Sequence, residues 1–143
     1  MWIQGITDGT VVEKVMAIFK NVEGATIPAD AVVALEDAAT TDGIRVVQPN
    51  SGGLGLVVGL ADKSIADAVV GYVQIYGYRG SSKVWKTGVA VVIGDVLKAV
   101  AAQDYLTRDD TASGINGLFY ALASLASTSA SATASLKVFI RCM

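Results

Sequence analysis

The residue types that most often perform chemistry are scarce in this chain. It has no histidine and a single cysteine, Cys142. Histidine is the commonest general base near neutral pH and the commonest metal ligand. Triads of the Ser-His-Asp and Cys-His kinds are therefore excluded, as are zinc sites built on His or on several Cys. Carboxylates remain. Asp104, Asp109 and Asp110 lie close in sequence and would suit a hard cation such as Ca²⁺. They lack EF-hand spacing and have Arg108 among them, so they read as a solvated acidic loop. Asp62 and Asp67 flank Ile65-Ala66 and read as turn residues rather than as an acid/base pair.

Glycines invite nucleotide readings that their spacing refuses. Gly52, Gly53, Gly55 and Gly59 are followed by no Gly-Lys-Ser/Thr and by no amphipathic helix. They read as turns, a bulge or close strand packing. Gly94-Asp95-Val96-Leu97 resembles the Gly-Asp-x-Leu turn of biotinyl and lipoyl carrier domains. Lys98 is too near that turn to be a carrier lysine, and no Asp-Lys-Ala hairpin follows. No catalytic, metal-binding or cofactor-binding residue is assigned, and the chain is expected not to be an enzyme.

The remaining candidates are surfaces. Tyr72, Tyr76 and Tyr78 recur at every second or fourth residue. Aromatic faces suit carbohydrate stacking and protein interfaces alike. A sheet face covered by the protein's own loops or by a subunit would carry the same pattern. Trp2 and Ile3 are too apolar for a solvated tail, so residues 1–10 read as an extended arm that folds back or lies on a neighbour. These five residues form the candidate interface.

The elements that must position them are read from periodicity. Hydrophobic residues make up 52% of the 143 residues and charged ones only 17%, against about a quarter in an average domain. That excess of apolar residues over one core's needs points to contacts with other subunits. In residues 11–22, Val15, Ala17 and Phe19 alternate with Met16, Ile18 and Lys20, which is strand periodicity; Glu13 and Lys14 would also suit a helix, but the β-branched residues favour a strand. Further strands are expected at 31–35, 44–47, 71–79, 83–85, 89–93, 96–101 and 136–142, with an apolar run at 54–60. In 71–79, Val73, Ile75 and Gly77 are expected to face the core, and Tyr72, Gln74, Tyr76 and Tyr78 the other side. Turns are expected at Asp42-Gly43 and Gly80-Ser81-Ser82. Residues 103–116 read as a charged loop, 118–125 as a strand or short helix, and 126–135 as a loose Ala/Ser/Thr-rich loop. Residues 11–143 thus form one all-β domain, a small β-barrel or β-sandwich of about eight short strands. No repeat of solenoid or propeller period is visible.

The net charge of −2 and the scattered lysines and arginines give no basic footprint for nucleic acid. The first residues have neither the basic nor the apolar region of a signal peptide, and no apolar run nears the ~20 residues of a membrane span. A soluble, unexported protein without nucleic-acid or membrane partners is expected.

In layout the chain resembles the decoration, or cement, proteins of tailed-bacteriophage heads. The resemblance rests on residues 57–62 leading through Ile65-Ala66 to 71–79, then Gly94-Asp95, Asp104-Tyr105-Leu106, 121–123 and the closing basic-hydrophobic strand 137–141. It implies a β-rich body on the exterior of an icosahedral capsid, made in the host cytoplasm. It further implies a homotrimer or other homo-oligomer that bridges major capsid protein subunits, with terminal arms adding contacts. It carries over no catalytic residue and no cofactor.

Overall fold

The computed structural model describes residues 4–6, 14–38, 42–86, 88, 90–110, 118–129 and 132–142. Among these lie ten strands and one 3₁₀ turn. The strands are β1 (Gln4–Ile6), β2 (Lys14–Asn21), β3 (Val32–Leu35), β4 (Arg45–Val47), β5 (Val57–Ala61), β6 (Val70–Trp85), β7 (Val96–Ala99), β8 (Leu106–Arg108), β9 (Phe119–Ala121) and β10 (Thr133–Arg141). The 3₁₀ turn is Gly53–Leu56, so the apolar run at 54–60 enters the sheet only at Val57.

The all-β expectation holds. The strands form one ten-stranded sheet, not a closed barrel, in the order β1-β2-β4-β3-β5-β6-β10-β9-β7-β8. Two further pairings, β2–β6 and β6–β8, fold the sheet over on itself. Two hydrophobic clusters result. The first gathers Val15, Ala17 and Phe19 of β2 with Val33, Val46, Ala61 and Val73. The second gathers Val84, Leu97, Leu106, Phe119, Ala121, Val138 and Ile140, and also takes Val32, Ala34 and Leu60 from β3 and β5. Neighbouring residues of β3 and β5 thus serve opposite cores, as alternation in a strand buried on both faces requires.

The pairing pattern occurs twice. In the first module, β2 pairs antiparallel with β6 and parallel with β4. β4–β3, β3–β5 and β5–β6 are antiparallel. In the second, β6 pairs antiparallel with β10 and parallel with β8. β8–β7, β7–β9 and β9–β10 are antiparallel. Strand for strand, β2 to β6 match β6 to β10, and β6 belongs to both modules. The hydrogen bonds repeat as well. The Asp30 N–H donates to Ala61 O in one module, and the Gly94 N–H to Ala121 O in the other. Likewise Ala61 donates to Ala31 O and Ala121 to Asp95 O; Asp62 donates to Tyr72 O and Leu122 to Lys137 O. The isolated bridge Ile27–Ile65 is matched by Val91–Leu125. Few of the equivalent positions keep the same residue, which is why the sequence shows no repeat.

Three local expectations are corrected. The turn at 80–82 does not form, because β6 runs unbroken from Val70 to Trp85 with β10 paired along its second half. A register shift between Leu136 and Val138 absorbs the Gly80-Ser81-Ser82 stretch. Of the expected strand at 89–93, the described residues 90–93 keep one bridge, at Val91, after which Val92 and Ile93 turn outward, and residue 89 lies outside the described part. The charged loop at 103–116 contains β8, whose Leu106 is buried in the second core, while residues 111–116 lie outside the described part. At the Asp42-Gly43 turn, Asp42 Oδ1 accepts the Ile44 and Arg45 N–H groups. The Ile44 bond in particular holds the Asp42 carboxyl below its ordinary value, with the Arg45 charge adding to it.

Candidate functional site

The expected tyrosine face is divided by a bulge. Between β2 and β6 the register shifts at Val15/Met16, opposite Tyr76 and Gln74, so Ile75 is the extra residue. Tyr72 pairs with Ile18 on the outer side. Tyr76 pairs with Val15 and packs against the first core. The bulge sets these two tyrosines in different surroundings, where strict alternation would have aligned them. Tyr76 also meets Phe139 edge to face, ring centroids 5.2 Å apart. Tyr78 pairs with Phe139, and Phe139 with Tyr120, in a half-buried aromatic row across β6, β10 and β9. Phe139 and Tyr120 were not among the sequence candidates; the alternation of Lys137, Phe139 and Arg141 was the signal for Phe139. Trp2 and Ile3 lie outside the described residues. Gln4–Ile6, next in the chain, pair with Met16, Val15 and Lys14.

Gln74 was expected beside the tyrosines at the surface and is fully buried. The cause is a polar network at the point where β6 passes from one module to the other. Arg79, only 7% exposed, donates from Nε to Asp30 Oδ1 at 2.9 Å and from Nη2 to Ala61 O at 3.0 Å. Its Nη1 reaches Gln74 Oε1 at 3.3 Å and lies 3.8 Å from Asp62 Oδ1. Gln74 Nε2 donates to Tyr78 O at 2.9 Å. A buried guanidinium requires this number of partners. The network is structural, holding the first module's turn against the bulge.

Tyr72 is the tyrosine left open, at 53% exposure. It borders a surface recess of about 420 Å³ formed by residues 62–65 and 70–72. Among the described residues no group of three His, Cys, Asp or Glu could hold a metal ion. Asp104 is engaged by Lys83, and Asp109 by Lys98 at 3.1 Å, so the acidic loop is cross-linked to neighbouring strands. Cys142 packs against the second core, and burial pushes its thiol pKa up to about 12.

The whole fold is similar to a phage head-fiber base. The solved structure is that of the head fiber gp8.5 N base of bacteriophage phi29, with a TM-score of 0.54 and 16% sequence identity. The match covers 89% of this chain and 95% of that one, an extent that necessarily includes both modules. No protein-family model and no curated protein matches the chain. At that identity the phi29 likeness is one of fold.

Proposed function

We propose that this chain is a structural protein of a tailed-phage virion, carried on the outside of the head, and that it performs no catalysis. The observation that carries the reading is the end-to-end likeness to a phi29 head-fiber base, in which nearly all of both chains is shared. Two forms of the role are in play. One is a decoration protein that bridges major capsid protein subunits; the other is the base of a head fiber. The likeness fits either form. The reading takes the chain as a homo-oligomer, such as a trimer, in contact with the major capsid protein. A subunit that binds the assembled shell better than its free parts stabilises the shell by mass action. A contact of about 1,600 Å² is enough for specificity.

The experiment mixes the purified chain with mature heads that lack it and measures native mass, sedimentation with the heads and head melting. Oligomers that co-sediment with heads are expected. A stable monomer that never binds them would sink the proposal. Saturation at hundreds of sites with a raised melting temperature would assign decoration; few sites with no change in melting would assign a fiber base.

A further inference from the structure

The two modules provide an internal control, because the paired strand positions of one have counterparts in the other. The Asp62–Tyr72 and Leu122–Lys137 hydrogen bonds fix the correspondence around the recess. Residues 62–65, Asp-Lys-Ser-Ile, stand where the second module has 122–125, Leu-Ala-Ser-Leu. Ser64 matches Ser124, and the bridge residue Ile65 matches the apolar Leu125. Ile65 is held by its bridge to Ile27, as Leu125 is by its bridge to Val91, and both positions keep their kind. Asp62, Lys63 and Tyr72 are replaced by Leu122, Ala123 and Lys137. The scaffold therefore requires no ammonium at position 63 and no aromatic ring at position 72, while Asp62 also neighbours Arg79 of the polar network.

We infer that the recess bounded by residues 62–65 and 70–72 is a carbohydrate-binding site. Its chemistry is that of a sugar platform. Tyr72 offers an exposed ring to the apolar C–H face of a pyranose. Asp62 offers an acceptor to vicinal hydroxyls, and its backbone N–H is tied to Tyr72 O at 2.9 Å, which fixes loop against platform. Arg79 Nη1, 3.8 Å from Asp62 Oδ1, holds a positive charge beside that carboxylate. Lys63 and Ser64, both exposed, supply donors. Val70, 58% exposed, extends the apolar floor beside Tyr72. The volume of about 420 Å³ falls in the ordinary range for small-ligand sites, about 300–1,000 Å³. A protein partner is the competing occupant of this face, but a carboxylate and an ammonium around one ring match a polyhydroxylated ligand better than the charge-depleted centre of a protein interface. The site stands independently of how the chain attaches to a head.

The test is titration of the full ¹⁵N-labelled chain with methyl glycosides and trisaccharides of glucose, galactose, N-acetylglucosamine and rhamnose. Amide shifts and saturation transfer to the sugar C–H protons are recorded. At least one sugar should give saturable millimolar shifts confined to residues 62–72. Tyr72→Lys, which installs the second module's residue, should abolish them, and Asp62→Leu should weaken binding at least fivefold. Ile93→Ser, a surface change in the second module, should leave them unchanged. The proposal is overturned if no sugar saturates, or if Tyr72→Lys binds like the parent. It is equally overturned if Tyr72→Lys alters native mass while no sugar transfer is seen, which would make the face a protein contact.

Discussion

Two small residues show how closely this backbone is packed. A Cβ added at Gly59 would lie 2.1 Å from the Gln74 carbonyl oxygen and 2.9 Å from its carbon. Neither is a flexible side-chain end that could swing away. Gly59→Ala must push β5 off β6 and is expected to destabilise the fold by about 3 kcal/mol or more, read by urea unfolding. Ala68 is the opposite case. It sits at φ 59° in a turn closed by the Val69 N–H on Ala66 O. A left-handed L-residue carries about 1–2 kcal/mol of strain, and glycine loses about 0.5–1 kcal/mol more chain entropy on folding. Ala68→Gly should therefore raise stability by about 0.5–1 kcal/mol in the same measurement; a fall would show that the turn is not strained.

At the scale of strands, β10 closes the second core and ends at a thiol. The Cys142 N–H donates to Ile75 O at 2.9 Å, anchoring the chain end on the bulge of β6. The thiol pKa is raised by burial from 9.0 to about 12. Between these values the folded state keeps a proton that the unfolded state releases, so this group's contribution to stability is complete below pH 9 and is lost as pH rises toward 12. The parent chain should lose stability across that range faster than Cys142→Ala, in paired urea melts at pH 8 and pH 10.5; equal slopes would refute the shift. Strands of this kind were legible wherever one face alone is buried. Val15, Ala17 and Phe19 announced β2, and the end of β10 was plain from Leu136, Val138 and Ile140. Legibility failed where a strand touches both cores. In β6 the neighbours Val73, Gln74 and Ile75 are all buried, and no two-residue period can signal that. The single extra residue that separates Tyr72 from Tyr76 is visible only in the register against β2. Likewise Tyr72 could be nominated from its type, but its recess partners Asp62 and Lys63 come from a loop that only the sheet brings alongside.

Over the whole molecule, the two modules cannot melt separately. β6 lies in both, and Val32, Ala34 and Leu60 of the first module lie in the second core. One cooperative transition is expected, with calorimetric and van't Hoff enthalpies equal and with the Val33 and Leu97 amides exchanging at one common free energy. Two resolved transitions would contradict this. The shared strand also sets a rule for growth. β10 stands to the second module as the first half of β6 stands to the first, and β6 opens a new module simply by continuing past Gly77. A fold built this way lengthens by four strands per added module, not five, and every joint is a continuous strand rather than a linker. Such an array gains length without gaining a hinge, a useful property for anything that must project stiffly from a surface.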